Sequence, residues 1–197
     1  MSIVLEKGGR INLSKDVPAL RKIRVGLGWD ANGTDTGTDF DLDATCFVLK
    51  NTSENKPVMI NERYMIFYNN LRSPENAVVH SGDNRTGSGE GDDETIRVEL
   101  ALLPEETSEL SFIVTIHEAG PRKQNFGQVK NAYIVLYNDE SGAEVARYDL
   151  EEAFSTETAV QFGSLYKKDG QWLFKAVGAG YKLGLGEFVK GYGGDVA

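Results

Sequence analysis

Apolar residues recur at every second position along most of this chain. Ile23, Val25, Leu27 and Trp29 alternate with Arg24, Gly26 and Gly28. Ile96, Val98, Leu100 and Leu102 follow the same rule, as do Leu110, Phe112, Val114 and Ile116. A period of two is the signature of a half-buried strand. The largely apolar segment 44–49 and the aromatic segment 64–68 read as buried strands. Further strands are expected at 133–137, at 144–150 after the turn Asp139-Glu140-Ser141-Gly142, and at 172–176 after Lys168-Asp169-Gly170. Many short strands joined by Gly, Asn and Asp turns predict an all-β, two-sheet antiparallel β-sandwich. Short helical pieces are expected near 73–79, 104–110 and 183–192, with 122–129 irregular or a single turn.

Two segments break this pattern. Residues 83–94 carry five carboxylates, Asp83, Glu90, Asp92, Asp93 and Glu94, with three glycines and a single base, Arg85. Upstream, Asp30, Asp35, Asp39, Asp41 and Asp43 fall within fourteen residues free of Lys and Arg. Crowded carboxylates repel one another unless something cationic sits among them. Oxygen donors on flexible, Gly-rich loops suit a hard divalent cation, and calcium more than magnesium. A pair of solvated acidic loops is the plainer alternative.

Asp41 and Asp43, two apart in an extended segment, project to one face. Asn69 and Asn70 follow a strand, and each offers a neutral amide oxygen. These strand ends are expected to converge on one edge of the sandwich. Two acidic clusters imply one composite site or two neighbouring ones, and two ions are expected. The 83–94 segment has EF-hand length but not its pattern, because Arg85 and Gly87 replace ligands and Ser88 replaces the central glycine. No Gly-Lys-Ser/Thr follows its glycines, so it is no phosphate loop.

Composition narrows the partners. The chain has 197 residues and a net charge of −9, which disfavours a nucleic-acid backbone. The single cysteine, Cys46, excludes an intramolecular disulfide and a cysteine-rich zinc site. No signal-peptide pattern opens the sequence, and no apolar run is long enough to span a bilayer. A cytoplasmic protein that does not insert into membrane is expected. The histidines, His80 and His117, sit in no recognised hydrolase motif. A non-enzyme is therefore expected, the alternative being a Mg²⁺-dependent phosphoester- or nucleotide-processing enzyme built on the same acids. Val25-Gly26-Leu27-Gly28-Trp29 is echoed by Val177-Gly178-Ala179-Gly180-Tyr181, a possible internal repeat.

Several motifs carry a resemblance. Gly26-Leu27-Gly28-Trp29-Asp30, Phe40-Asp41-Leu42-Asp43-Ala44, Phe67-Tyr68-Asn69-Asn70-Leu71 and Gly82-Asp83-Asn84-Arg85-Thr86-Gly87 resemble the tellurite-resistance TerD family. So do Gly91-Asp92-Asp93-Glu94, 123–129 and 146–150. The resemblance runs over about 2–181 of a single domain spanning 1–197, with 182–197 as a C-terminal extension. It implies a calcium-binding, non-catalytic stress-response protein acting through partners. Those partners would be other tellurite-resistance or stress proteins, some tied to a membrane-embedded TerC-like protein. The metal ligands it implies are Asp30, Asp41, Asp43, Asn69, Asn70, Asp83, Asp92, Asp93 and Glu94, with Asn84, Thr86 and Glu90 as additional donors.

Overall fold

The computed structural model describes residues 2–30, 40–82, 91–150, 154–182 and 184–195. Alternating side chains give each strand one apolar face, and two sheets bury those faces against each other. The first sheet runs β1 (Ile3–Val4), β11 (Glu144–Asp149), β10 (Tyr133–Asn138), β3 (Lys22–Gly28), β8 (Glu94–Glu99) and β7 (Val78–His80). The second runs β2 (Arg10–Asn12), β13 (Gln171–Tyr181), β12 (Ala159–Lys168), β9 (Thr107–Ile116), β4 (Leu42–Asn51) and β5 (Pro57–Met59), with β6 (Met65–Ile66) also paired to β4. Pairing is antiparallel throughout the described strands except between β1 and β11.

Between the sheets, Val25, Leu27, Ile96, Val98, Ile134 and Leu136 meet Ala44, Cys46, Val48, Leu110, Phe112, Val114, Leu165 and Phe174, all at most 1% exposed. The two-sheet antiparallel sandwich expected from the periodicity is the architecture found.

The helical expectations divide. Residues 74–77 form a turn, and 78–79 belong to β7. Ser73 Oγ accepts the Val78 N–H, and Asn76 sits in the left-handed region at φ 58°. That conformation ends any helix. At 104–110 a single turn, Thr107 N–H to Pro104 O, is followed at once by β9. Strand pairing overrides local preference there, and the short 3₁₀ turn falls upstream at Leu100–Leu102. A four-residue helix, α1 (Leu13–Asp16), follows β2, and α2 (Ala119–Arg122) precedes the irregular run to 129.

The C-terminal segment does form a short helix, α3 (Leu185–Gly191). Glu187 holds its start by accepting the Gly184 N–H. Phe188 and Val189 are buried, and the Tyr192 ring lies 5.1 Å from Phe47. The helix therefore covers part of the outer face of the second sheet.

The two Val-Gly-x-Gly-aromatic segments differ in backbone. The first is regular β3, whereas Gly178 in the second has φ +59° beside a bulge in the β12–β13 ladder.

Candidate metal centre

The antiparallel register brings the acidic residues to one end of the sandwich. Leu27 near the end of β3 lies opposite Glu94 at the start of β8. Leu42 at the start of β4 lies opposite Ile116 at the end of β9. Asp30, Asp41, Asp43, Asp93 and Glu94 therefore share this end. Since β6 runs antiparallel to β4 from Phe47 towards Cys46, the turn after it points to the same end. Phe67 and Asn70 close that turn with two backbone bonds, leaving Asn69 exposed at its tip. The Asn70 amide N–H donates to Met65 O at 2.7 Å and Arg63 O at 3.2 Å, fixing the turn.

Each described carboxylate has a distinct role. Asp30 Oδ2 accepts from Asn131 Nδ2 at 2.6 Å. Asp41 and Asp43 are buried; Arg122 lies 3.4 Å from Asp41 and His117 lies 3.7 Å from Asp43. Arg122, on α2, also reaches Glu118 at 3.6 Å. Asp93 turns inward, and its Oδ2 accepts the Trp29 N–H at 2.9 Å. Its own N–H donates to Leu27 O. Beside Asp43 lies a cleft of about 460 Å³ lined by Tyr68, Thr115, His117, Glu118 and Thr158 among others.

Glu94 is 1% exposed and joins the two sheets. It stands on β8 of the first sheet, yet its Oε2 accepts the Ala44 N–H of β4 in the second at 2.8 Å. His80 completes the join. Gly82 N–H donates to His80 Nδ1 at 2.9 Å, so in the neutral ring the proton sits on Nε2. That nitrogen lies 3.1 Å from Ala44 O and 3.4 Å from Glu94 Oε2. Sequence reasoning gave His80 no role. Its only signal was a polar residue at an inward position of a short strand.

Asp92 lies elsewhere from its two neighbours. Its carboxylate rests on the outer face of the first sheet, where Arg24 Nη1 meets Oδ2 at 2.9 Å. The Tyr133 and Tyr137 hydroxyls donate to Oδ1 at 3.1 and 3.4 Å. Residues 92 and 93 precede β8 and its alternation does not extend back to them, for Asp92 and the inward Glu94 are two apart yet face opposite sides of the sheet. The space comes from Gly26, where an added Cβ would meet Asp92 Oδ2 at 2.2 Å. Gly28 gives the Tyr133 ring the same clearance, at 2.4 Å. The Arg24 guanidinium stacks 3.9 Å above Tyr137, and that of Arg147 4.0 Å above Tyr133. Burial, and after it the Asp92 charge, pushes the Tyr133 and Tyr137 phenols above their ordinary range.

Asp83, Asn84, Thr86 and Glu90 lie outside the described residues, as do Asp35, Asp39, Arg85 and Ser88. Among the described residues no three His, Cys, Asp or Glu side chains stand close enough together to hold a metal ion. The described carboxylates and imidazoles therefore do not by themselves form a three-residue ligand set. The donors present fit a hard cation: they are carboxylate oxygens, and both imidazoles face Glu94 or Asp43. Cys46 is fully buried in the core, and burial drives its thiol far above the usual range. No described helix is long and apolar enough to cross a membrane.

Comparison with known proteins follows the same line. The TerD domain model matches residues 1–192. Tellurium resistance protein TerD of Serratia marcescens is 50% identical over 193 residues, covering 98% of each chain. General stress protein 16U of Bacillus subtilis (strain 168) is 48% identical over the same length and coverage. A solved homologue of telluride resistance protein (TerD) from Streptomyces coelicolor A3(2) superposes with a TM-score of 0.66. It is 23% identical, covers 87% of this chain and 96% of its own, and so speaks to the fold alone. By the match of a family model over nearly its whole length and by relatives at half identity, this chain belongs to the TerD family of tellurium-resistance and stress proteins.

Proposed function

We propose that this protein is a non-catalytic, calcium-binding stress-response module whose metal orders the acidic end of the sandwich into a surface for protein partners. The observation that carries this reading is the convergence of Asp30, Asp41, Asp43, Asp93 and Glu94 at strand termini that flank both acidic segments. Calcium bound there would supply positive charge to carboxylates that otherwise repel one another. The protein's own residues do the positioning. Glu94 and His80 tie the two sheets together beneath the site, and Asp93 is fixed by Trp29. Asp41 and Asp43, Asp93, and donors from 83–90 would form the ligand set, with Asp30, Asn69 and Asn70 at its rim. Asp92 acts here as the anchor of the loop. Cytoplasmic placement and partners among other stress proteins, including a TerC-like membrane protein, belong to the same proposal.

The magnesium-dependent phosphoester reading has less support. A phosphoryl group needs cationic partners, whereas Arg122 at this end is already shared by Asp41 and Glu118.

Calorimetric titration of calcium and magnesium into chelator-stripped protein tests the proposal, with Asp43→Asn and Asp93→Asn as controls. Calcium is expected to bind at about micromolar affinity or tighter, and magnesium much more weakly. A hundredfold excess of calcium over its Kd would add about 2.7 kcal/mol to folding stability. Absence of calcium binding, or binding undiminished in both variants, would refute it.

A further inference from the structure

On a chain of net charge −9, one groove has three cations and a single carboxylate in its lining. It lies on the outer face of the second sheet, beside the part covered by α3, and holds about 330 Å³. Arg10, Lys168 and Lys175 line it, with Gln161, Ser164, Tyr166 and a single carboxylate, Glu109.

Register explains the arrangement. Arg10 on β2 is directly opposite Lys175 on β13, Lys175 is opposite Ser164 on β12, and Ser164 is opposite Ser111 on β9. One row across four strands therefore reads guanidinium, ammonium, hydroxyl, hydroxyl, at the ~4.8 Å strand spacing. Like charges directly opposite one another destabilise a sheet. Here nothing described relieves them, for Arg10, Lys168 and Lys175 form no ion pair within 4.0 Å among the described residues.

The floor is polar and already fixed. Gln161 Nε2 donates to Ser111 Oγ at 2.9 Å and to Ser164 Oγ at 3.2 Å. The Ser164 hydroxyl donates to Glu109 Oε1 at 2.5 Å, and the Tyr192 hydroxyl of the C-terminal segment donates to Ser111 Oγ at 3.2 Å. Glu109 is thus committed to a serine rather than to the cations. Its hold keeps the polar floor in one conformation, and its single negative charge offsets only part of the three cations.

We propose that this groove is a binding site for a small divalent oxyanion of the phosphate class. Lys175 and Arg10 would supply charge-assisted hydrogen bonds from adjacent strands, and Lys168 would reach in from the β12–β13 turn. The geometry suits a compact anion. Two cations side by side on a strand ladder match oxygens a few ångströms apart, and the volume leaves space for the ion with water or a small organic substituent. Ser111 stands about four residues along β9 from Thr115, the partner of Asp43, or roughly 13 Å. The groove is thus separate from the acidic end, and this inference does not rest on the metal reading.

Inorganic phosphate titrated into calcium-free, isotope-labelled full-length protein, followed by amide NMR, tests the site. Saturable shifts clustered at residues 10, 164, 166 and 175 are expected. Lys175→Ala and Arg10→Gln should each weaken binding about tenfold, the factor carried by one charge-assisted hydrogen bond. Arg10 is exposed on an edge strand, so that variant keeps the test intact if Lys175→Ala folds poorly. Lys22→Ala, on the other sheet and paired with Glu99, should change nothing. Glu109→Gln should tighten binding by removing the competing carboxylate. Parallel titrations with tellurite and glycerol phosphate distinguish a free inorganic oxyanion from a phosphoryl group on an organic molecule, by which of them displaces phosphate. Shifts that never saturate or scatter over the surface would overturn the proposal. So would affinity unchanged in both Lys175→Ala and Arg10→Gln.

Discussion

Removing the Asp92 carboxylate separates anchoring from metal ligation. Asp92→Ala deletes one ion pair to Arg24 at 2.9 Å and two phenol hydrogen bonds at 3.1 and 3.4 Å. A hydrogen bond to a charged group contributes about 1.5–3 kcal/mol when well sheltered. The Asp92 side chain is 7% exposed and that of Arg24 24%, so screening reduces the ion pair towards the lower figure. Arg24 also keeps its stacking on Tyr137 and a longer contact to Asp139 at 3.6 Å, which offsets part of the loss. The two phenols face partial solvent and recover water. The expected cost is about 2–3 kcal/mol in all, or roughly 4–12 °C in Tm for a chain of this size.

The assay is urea unfolding in chelator and again in millimolar calcium. An anchor costs this amount in chelator, where no ligand role is possible. A direct ligand costs little in chelator and much more in calcium. The double variant Asp92→Ala/Arg24→Met should show a coupling energy of at least about 1 kcal/mol. Gly26→Ala should mimic the loss, because its methyl occupies the space of the carboxylate. It should cost less when Asp92 is already Ala. A cost below about 0.5 kcal/mol for Asp92→Ala in chelator would refute the anchor.

Glu94→Ala should destabilise by about 1–3 kcal/mol, because it leaves the buried Ala44 N–H unpaired. Glu94→Gln keeps an acceptor and should cost clearly less; equal losses in equilibrium unfolding would contradict the inter-sheet role. Cys46 should resist thiol reagents in the folded state and react only on unfolding. Cys46→Ser should cost about 1–3 kcal/mol by burying a hydroxyl in the core. Rapid native-state labelling would refute this. The raised phenols of Tyr133 and Tyr137 give stability that is full below about pH 10, the ordinary tyrosine value. It is lost as pH climbs through their higher folded values. Tyr133→Phe should flatten that alkaline decline in Tm, and an unchanged profile would show that the Tyr133 phenol does not carry it.

Much of the fold was legible because it rests on local periodicity. Ile23, Val25 and Leu27, Ile96 and Val98, and Leu110 to Ile116 alternate in sequence and point to one face, since a strand's side chains must change face at each residue; burial alternates along β8, whereas 110–116 are buried on both faces. The helical pieces were less legible. At 104–110 the choice between turn and strand is made by partners on β4 and β12, which are distant in sequence. At 73–79 the Ser73 side chain and the left-handed Asn76 decide it. In the tail, glycine content weakened a helical reading that packing of Phe188 and Val189 on the second sheet sustains.

The acidic end shows the same division. Sequence by itself determined the residue types, the two acidic clusters, the alternating strands and the family, because these depend on identity and spacing along the chain. Only the tertiary structure decided that Asp92 lies on the outer face with Arg24 while Asp93 meets Trp29. It alone made Glu94 and His80 an inter-sheet tie, and it alone set Arg10 beside Lys175. Each of those outcomes depends on strand register, which joins residues from 36 to 165 positions apart. No periodicity within one strand specifies which residue of another will stand opposite.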